Sequence, residues 1–170
     1  MIKVINIDMD GVLADFNGRM REITGKAFEE FGVSHDAWEA LKGYEKDLYL
    51  NLKPLPETKH MVDCILMFAQ VHNYQTSILT ALPKGNRIPL AEEHKRIWIE
   101  KHFPMFSNRF KIGAWSEDKW KHCYSQNDIL IDDYHRNIND WITKGKGIAI
   151  HHKSVDNTIE QLQNLIEELV

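Results

Sequence analysis

Apolar residues recur along this chain in two rhythms. Short, β-branched runs end abruptly at an acid, a threonine or a glycine, while longer stretches repeat their apolar positions every three or four residues. Lys3 to Asp8 (KVINID), Gln75 to Thr80 (QTSILT), Asp128 to Asp132 (DILID) and Gly147 to His151 (GIAIH) are of the first kind and predict buried strands, with Phe110 to Ala114 (FKIGA) as a fifth. Thr58 to Val71, Leu90 to Phe103 and Val155 to Leu169 are of the second kind and predict helices. Pro89 precedes one of these, and Ser154 is placed to cap another. Ile138, Trp141 and Ile142 predict a further helix after the DILID strand. Strands alternating with helices imply an α/β fold, a Rossmann-like, doubly wound parallel sheet.

One stretch breaks the alternation. Between Asp15 and Lys53 the pattern predicts no strand, only helices over Arg19 to Phe31 and Asp36 to Leu41. It reads as a small helical cap over residues 16–53, inserted after the first strand into a core formed by residues 1–15 and 54–170. Ligands of open α/β sheets bind beyond the carboxyl ends of the strands, so an insertion rooted there is placed to cover a site.

Composition narrows the function classes. Of 170 residues, 43% are hydrophobic and 27% charged, values ordinary for a globular protein, and the formal net charge of −4 argues against a nucleic-acid partner. The two cysteines, Cys64 and Cys123, form neither a disulfide framework nor a CxxC zinc motif. The N-terminal apolar run is broken by Asn6 and Asp8, which fits neither a signal peptide nor a membrane span, so the expectation is a cytoplasmic protein with no membrane partner.

The chemistry gathers at predicted strand ends. Asp8-Met9-Asp10-Gly11 closes the first strand: two acids spaced by two project into one loop, and Gly11 lets it turn tightly. Asp132-Asp133 closes another. An ordinary acidic turn would explain either motif alone. Together they gather carboxylates that repel unless a cation is present, and an all-oxygen set suits Mg2+. Leu79-Thr80 offers a hydroxyl at the end of a third strand, and Lys119, after Ser116-Glu117-Asp118, offers a positive charge at a helix start, with Lys121 close by. Taken singly, each lysine would be a solvated surface residue. His151-His152 is read as a solvated strand end, since no other ligand spacing supports zinc.

These residues, in this order, resemble the haloacid dehalogenase-like phosphatases, and within them the 5′(3′)-deoxyribonucleotidases. The likeness is carried by DMDGVLADF (8–16), LKPLP (52–56), ILTALPK (78–84), WIEKHF (98–103) and ILIDD (129–133); Ala81 stands where that subfamily usually has serine. The resemblance implies a hydrolase of small phosphomonoesters, with nucleoside monophosphates as substrates. Asp8 would be the nucleophile and Asp10 the acid and base. Mg2+ would be held by Asp8, the Asp10 carbonyl and the Asp132-Asp133 pair, Asp133 directly and Asp132 from behind, with Asn137 one helical turn later. Phosphoryl oxygens would be bound by Thr80 and by Lys119 or Lys121, with Lys84 a further candidate, and a base would contact Phe16. Trp38 and Tyr44 are expected to pack within the cap. A homodimer is a possible assembly.

Three other readings fit parts of this pattern. A phosphatase of the same fold could act on another phosphomonoester such as a sugar phosphate. A nucleic-acid 3′-end phosphatase would share the chemistry but not the acidic charge. A phospho-acceptor signalling domain also uses a strand-end Asp, but it has no need of the second acid in DxDG.

Overall fold

The computed structural model describes residues 2–113 and 115–169. Five parallel strands, β1 (Lys3–Ile7), β2 (Tyr74–Ala81), β3 (Phe110–Gly113), β4 (Ile129–Asp132) and β5 (Ile148–His151), form one sheet in the order β3-β2-β1-β4-β5. The chain starts at the centre, builds outward through β2 and β3, then crosses back to β4 and β5. β1 therefore has a neighbour on each side, with Ile7 level with Ile78 and Ile131. The five predicted strands all form, to within a residue at most ends; Ala114, the last residue of the predicted fifth, lies outside the described residues.

Alternation along the strands sorts side chains onto two faces. Ile5, Ile7, Ile129 and Ile131 join the main core with Met61, Val62 and Ile65 of helix α3 (Thr58–Val71), which packs against α6 (Val155–Leu169). Leu79 and Leu130 face the other way, onto Trp141, which follows α5 (His135–Asp140). Helix α4 (Ala91–His102) connects β2 to β3, and a 3-10 helix over Ser116–His122 precedes β4. α6 starts at Ser154 as expected, its hydroxyl accepting from the Asn157 N–H at 3.2 Å.

Residues 16–53 contain no strand. The single helix expected over Arg19 to Phe31 is instead α1 (Phe16–Thr24) followed by a 3-10 turn over Phe28–Phe31. Gly25 stops the helix in the left-handed region at φ 79°, and the Thr24 hydroxyl turns back to the Met20 carbonyl at 2.8 Å. α2 (Ser34–Ala40) lies within a few residues of the expected helix. The two ends of the segment are stitched together: the Asp15 N–H donates to the Lys53 carbonyl at 2.8 Å and the Leu55 N–H to the Leu13 carbonyl at 2.8 Å.

Candidate active site

The parallel sheet sends the carboxyl ends of β1, β2 and β4 to one edge, so the loop 8–11, Thr80 and the pair 132–133 are delivered to one place by topology alone. Asp8 is docked there by its own N–H, which donates to the Ile131 carbonyl at 2.9 Å. Beyond it the chain coils tightly, with the N–H groups of Leu13 and Ala14 both donating to the Met9 carbonyl at 2.9 Å. Gly11 makes this loop possible. It sits at φ 80°, which other residues rarely adopt, and a Cβ there would come within 2.1 Å of Asp133 Oδ2 and displace that carboxylate.

A continuous chain of polar contacts fixes the acids. Ser116 Oγ donates to Asn137 Oδ1 at 2.9 Å, and Asn137 Nδ2 donates to both oxygens of Asp132 at 3.1 and 3.0 Å. The Tyr134 N–H adds a bond to Asp132 at 2.8 Å. Lys119 Nζ then lies 2.7 Å from Asp132 Oδ2 and 2.7 Å from Asp8 Oδ1, with Lys119 and Asp132 both buried. Asp132 is thus saturated by protein donors. Asp133 instead reaches solvent and forms part of the wall of a cleft of about 460 Å3 that opens between residues 55–58 and 152–156. Asp8, Asp132 and Asp133 can each place a carboxylate oxygen within 4.8 Å of the others.

The electrostatics follow from that crowding. Burial raises the carboxyl of Asp8, and the charges of Asp132, Asp133 and Asp10 add to it, against the opposing pull of Lys119. Asp133 is pushed up to about 7, first by desolvation and then by Asp132. Burial would lower Lys119, but Asp132 and Asp8 overcome it and hold its ammonium well above the usual lysine value. Without a further cation the cluster has more negative charge than one lysine balances. An all-oxygen, carboxylate-rich set of this kind fits a hard divalent ion such as Mg2+.

The structure brings together Asp8, Asp10, Thr80, Lys119, Asp132 and Asp133, and leaves two expected residues outside. Lys121 points away into solvent and pairs with Asp118 at 2.7 Å. The 3-10 geometry of 116–122 puts residues 119 and 121 on different sides, and only Lys119 turns inward. Lys84 is half exposed and pairs with Glu117. Phe16 lies in an aromatic nest: Phe28, Trp38 and Tyr49 have ring centroids 6.0, 6.1 and 6.1 Å from its own. Tyr44 is largely exposed. His152 is buried and bonded to Thr158 at 2.7 Å, so it is not the solvated residue expected, while the partly exposed His151 contacts the Asp133 carbonyl at 2.9 Å.

A second buried lysine, not anticipated from the sequence, completes the site. Lys95 Nζ donates to Asp10 Oδ2 at 2.6 Å, Thr80 Oγ1 at 2.9 Å and the Ala81 carbonyl at 2.8 Å. Its signal was present: Ala91, Lys95, Trp98 and Ile99 lie at helical spacing, and all are buried. A lysine on the buried stripe of an amphipathic helix needs a partner. Tyr49 also approaches, its ring face 4.6 Å from that ammonium. Burial and the nearby charges of Asp10 and Asp8 push its phenol well above the usual tyrosine value.

A parallel sheet in this order, with an acid-x-acid loop after its central strand, a threonine and a lysine beside it and an acid pair at the end of the neighbouring strand, defines a haloacid dehalogenase-like protein. The chain belongs, within that class, to the family described as 5′ nucleotidase, deoxy (Pyrimidine), cytosolic type C protein, whose model matches residues 2–164. It is similar to the mitochondrial 5′(3′)-deoxyribonucleotidase of Mus musculus, with 30% identity over 148 residues, covering 75% of this chain and 62% of that protein's length. In fold it is similar to a hydrolase from Pseudomonas syringae, with a TM-score of 0.54 at 10% identity, each chain covered in full. Among the described residues no helix is long and apolar enough to cross a membrane.

Proposed function

We propose that the chain is a magnesium-dependent phosphomonoesterase that converts (deoxy)nucleoside monophosphates to nucleoside and phosphate through an aspartyl-phosphate on Asp8. The observation that carries this reading is the pairing at the end of β1. Asp8 is clamped by Lys119 at 2.7 Å, and two residues on, Asp10 keeps its Oδ1 buried with no hydrogen-bond partner among the described residues. A nucleophile and an acid-base group are thus adjacent, and each is held by its own lysine.

In the first step an Asp8 oxygen attacks phosphorus as the ester bond breaks, and Asp10 gives its proton to the departing oxygen. In the second, Asp10 takes a proton from water as that water attacks phosphorus, and the phosphorus–Asp8 bond breaks to regenerate the carboxylate. Lys119 holds Asp8 in place and balances charge, and Thr80 binds a phosphoryl oxygen. Asp8, Asp133 and the Asp10 carbonyl would hold Mg2+, with Asp132 behind them; when bound, the ion supplies positive charge that draws the phosphoryl group onto the nucleophile. Residues 16–53 act as a cap that excludes water, with Phe16 and its aromatic neighbours forming the side a base would meet.

The name of the mouse relative and the family description both favour a nucleotide over other phosphomonoesters. The test is a panel of nucleoside monophosphates, deoxy and ribo, beside sugar phosphates, assayed with Mg2+, with EDTA, and with Mg2+ restored. Deoxynucleotides are expected to be hydrolysed fastest, only with the metal. A sugar phosphate hydrolysed faster than every nucleotide would overturn the substrate assignment, and full activity in EDTA would overturn the metal.

A further inference from the structure

Lys95 is one of the most completely enclosed charges in the molecule, with 1% of its side chain exposed, and the chemistry above leaves it no direct role. An ammonium has three protons to give. Here they go to Asp10 Oδ2, Thr80 Oγ1 and the Ala81 carbonyl, while the Tyr49 ring covers it at 4.6 Å. No proton is left for a phosphoryl oxygen. Lys95 therefore does not bind substrate. It binds two residues that do.

We propose that Lys95 is a positioning residue that aims Asp10 at the leaving group and points the Thr80 hydroxyl at the phosphoryl group, a role that rests on the phosphatase reading above. The geometry carries both halves. Asp10 has two oxygens; Lys95 occupies Oδ2, and Oδ1 is buried without a partner, so the oxygen able to exchange a proton with the ester is Oδ1. Thr80 accepts from Lys95 through its oxygen, so its single proton is free to be donated to a phosphoryl oxygen. One cation thereby sets the orientation of the acid-base group against that of the phosphate-binding hydroxyl, two groups on different strands. It also reaches the cap segment. Tyr49 closes over Lys95, and one turn further along α4, Trp98 Nε1 donates to the Leu52 carbonyl at 2.8 Å. A single helix face thus grips the acid, the phosphate loop and the returning end of residues 16–53.

The alternative is that Lys95 only neutralises buried charge and its loss weakens the fold evenly. Leaving-group dependence separates the two. A nucleoside monophosphate expels a poor leaving group that must be protonated; p-nitrophenyl phosphate expels a phenolate that departs without a proton. The experiment measures kcat/KM for both substrates in Lys95→Met and Lys95→Gln, because kcat/KM reports the steps up to formation of the aspartyl-phosphate. General acid catalysis contributes about 10²- to 10⁴-fold. The nucleotide value is therefore expected to fall by on the order of 100-fold or more, and the p-nitrophenyl phosphate value by at least about tenfold less. Equal losses on both substrates would overturn the proposal. Failure of the unmodified protein to hydrolyse any nucleotide would instead overturn the functional reading, and it is visible before any variant is made. If neither variant folds, proton exchange at the Lys95 ammonium of the unmodified protein decides. Slow exchange in a signal that shifts on Asp10→Asn supports the contact, and the fast exchange of a solvated lysine overturns it.

Discussion

The strand-end site and the segment 16–53 are built on different principles. At the strand ends the acids are tied to buried partners, two of them a long way off in sequence: Asp8 to Lys119 and Asp10 to Lys95, with Asp132 bonded to Asn137 nearby. In the segment 16–53 the ion pairs are largely solvent-exposed, as in Lys53 with Glu22, and such pairs contribute little. What organises that segment is an aromatic nest, with Phe28 and Trp38 edge to face at 5.2 Å and Phe16 stacked on Tyr49. The contrast separates two kinds of specificity. Reaction chemistry is fixed by hydrogen-bond geometry that one wrong atom destroys. On the function proposed above, substrate choice would rest on packed surfaces that tolerate graded change.

The largest expected effect breaks the strand-end side of this contrast. Asp8→Asn keeps an oxygen to accept the Met9 N–H, which now bonds Asp8 Oδ1 at 2.7 Å, but it removes the nucleophile. Turnover should vanish, while thermal melting of the metal-free protein is no lower than that of the unmodified chain. Substantial residual activity would end the covalent mechanism.

A second measurement tests whether the acids repel as the geometry requires. Asp133 holds its proton up to about 7 in the folded protein, against an ordinary value of 3.8. Between those values the folded state binds more protons than the unfolded one, so stability from this group is present at low pH and lost as pH rises through 7. The raised Asp8 acts in the same direction. The melting temperature of metal-free protein should therefore carry a component that falls from pH 4 to pH 7, and Asp133→Asn should flatten it. Mg2+ should raise melting more at pH 7 than at pH 5; an equal rise at both would show that the ion does not engage these carboxylates.

The smallest effect sharpens the other side. A base stacked on Phe16 would contribute roughly 1–3 kcal/mol, so Phe16→Ala should lower kcat/KM for nucleotides roughly 5- to 150-fold and leave p-nitrophenyl phosphate nearly untouched. Equal losses would make Phe16 a packing residue of the nest.

The same contrast explains what the sequence disclosed. Asp8, Asp10, Thr80 and the 132–133 pair were legible because a polar residue that ends a β-branched run is conspicuous, and a parallel sheet sends such ends to one edge. The choice between Lys119 and Lys121 was not legible, because it depends on the tight turn of residues 116–122; spacing to Asp132 favoured Lys121, and it is Lys119 that turns inward. Lys95 escaped because a lysine within a helix looks solvated until the face it occupies is known. The broken helix at Gly25 was announced by the glycine but outweighed by apolar spacing on both sides of it. The aromatic nest could not be read at all. Phe16, Phe28, Trp38 and Tyr49 meet through turns that carry no periodic signal.

The central place of β1 in the sheet also sets an order of events. β1 lies between β2 and β4, and its link to β4 spans the chain: the Val4 N–H donates to Asp128 at 3.0 Å across 124 residues. Contacts of such long range close late, because loop entropy must be met before they return anything. A growing chain can pair β1 with β2 while Asp8 and Asp10 remain free of the other acids. The repulsion that Asp132 and Asp133 exert on Asp8 then arises only with the docking of β4. A chain interrupted before residue 129 would hold half of the candidate site without that repulsion and with no means of using it.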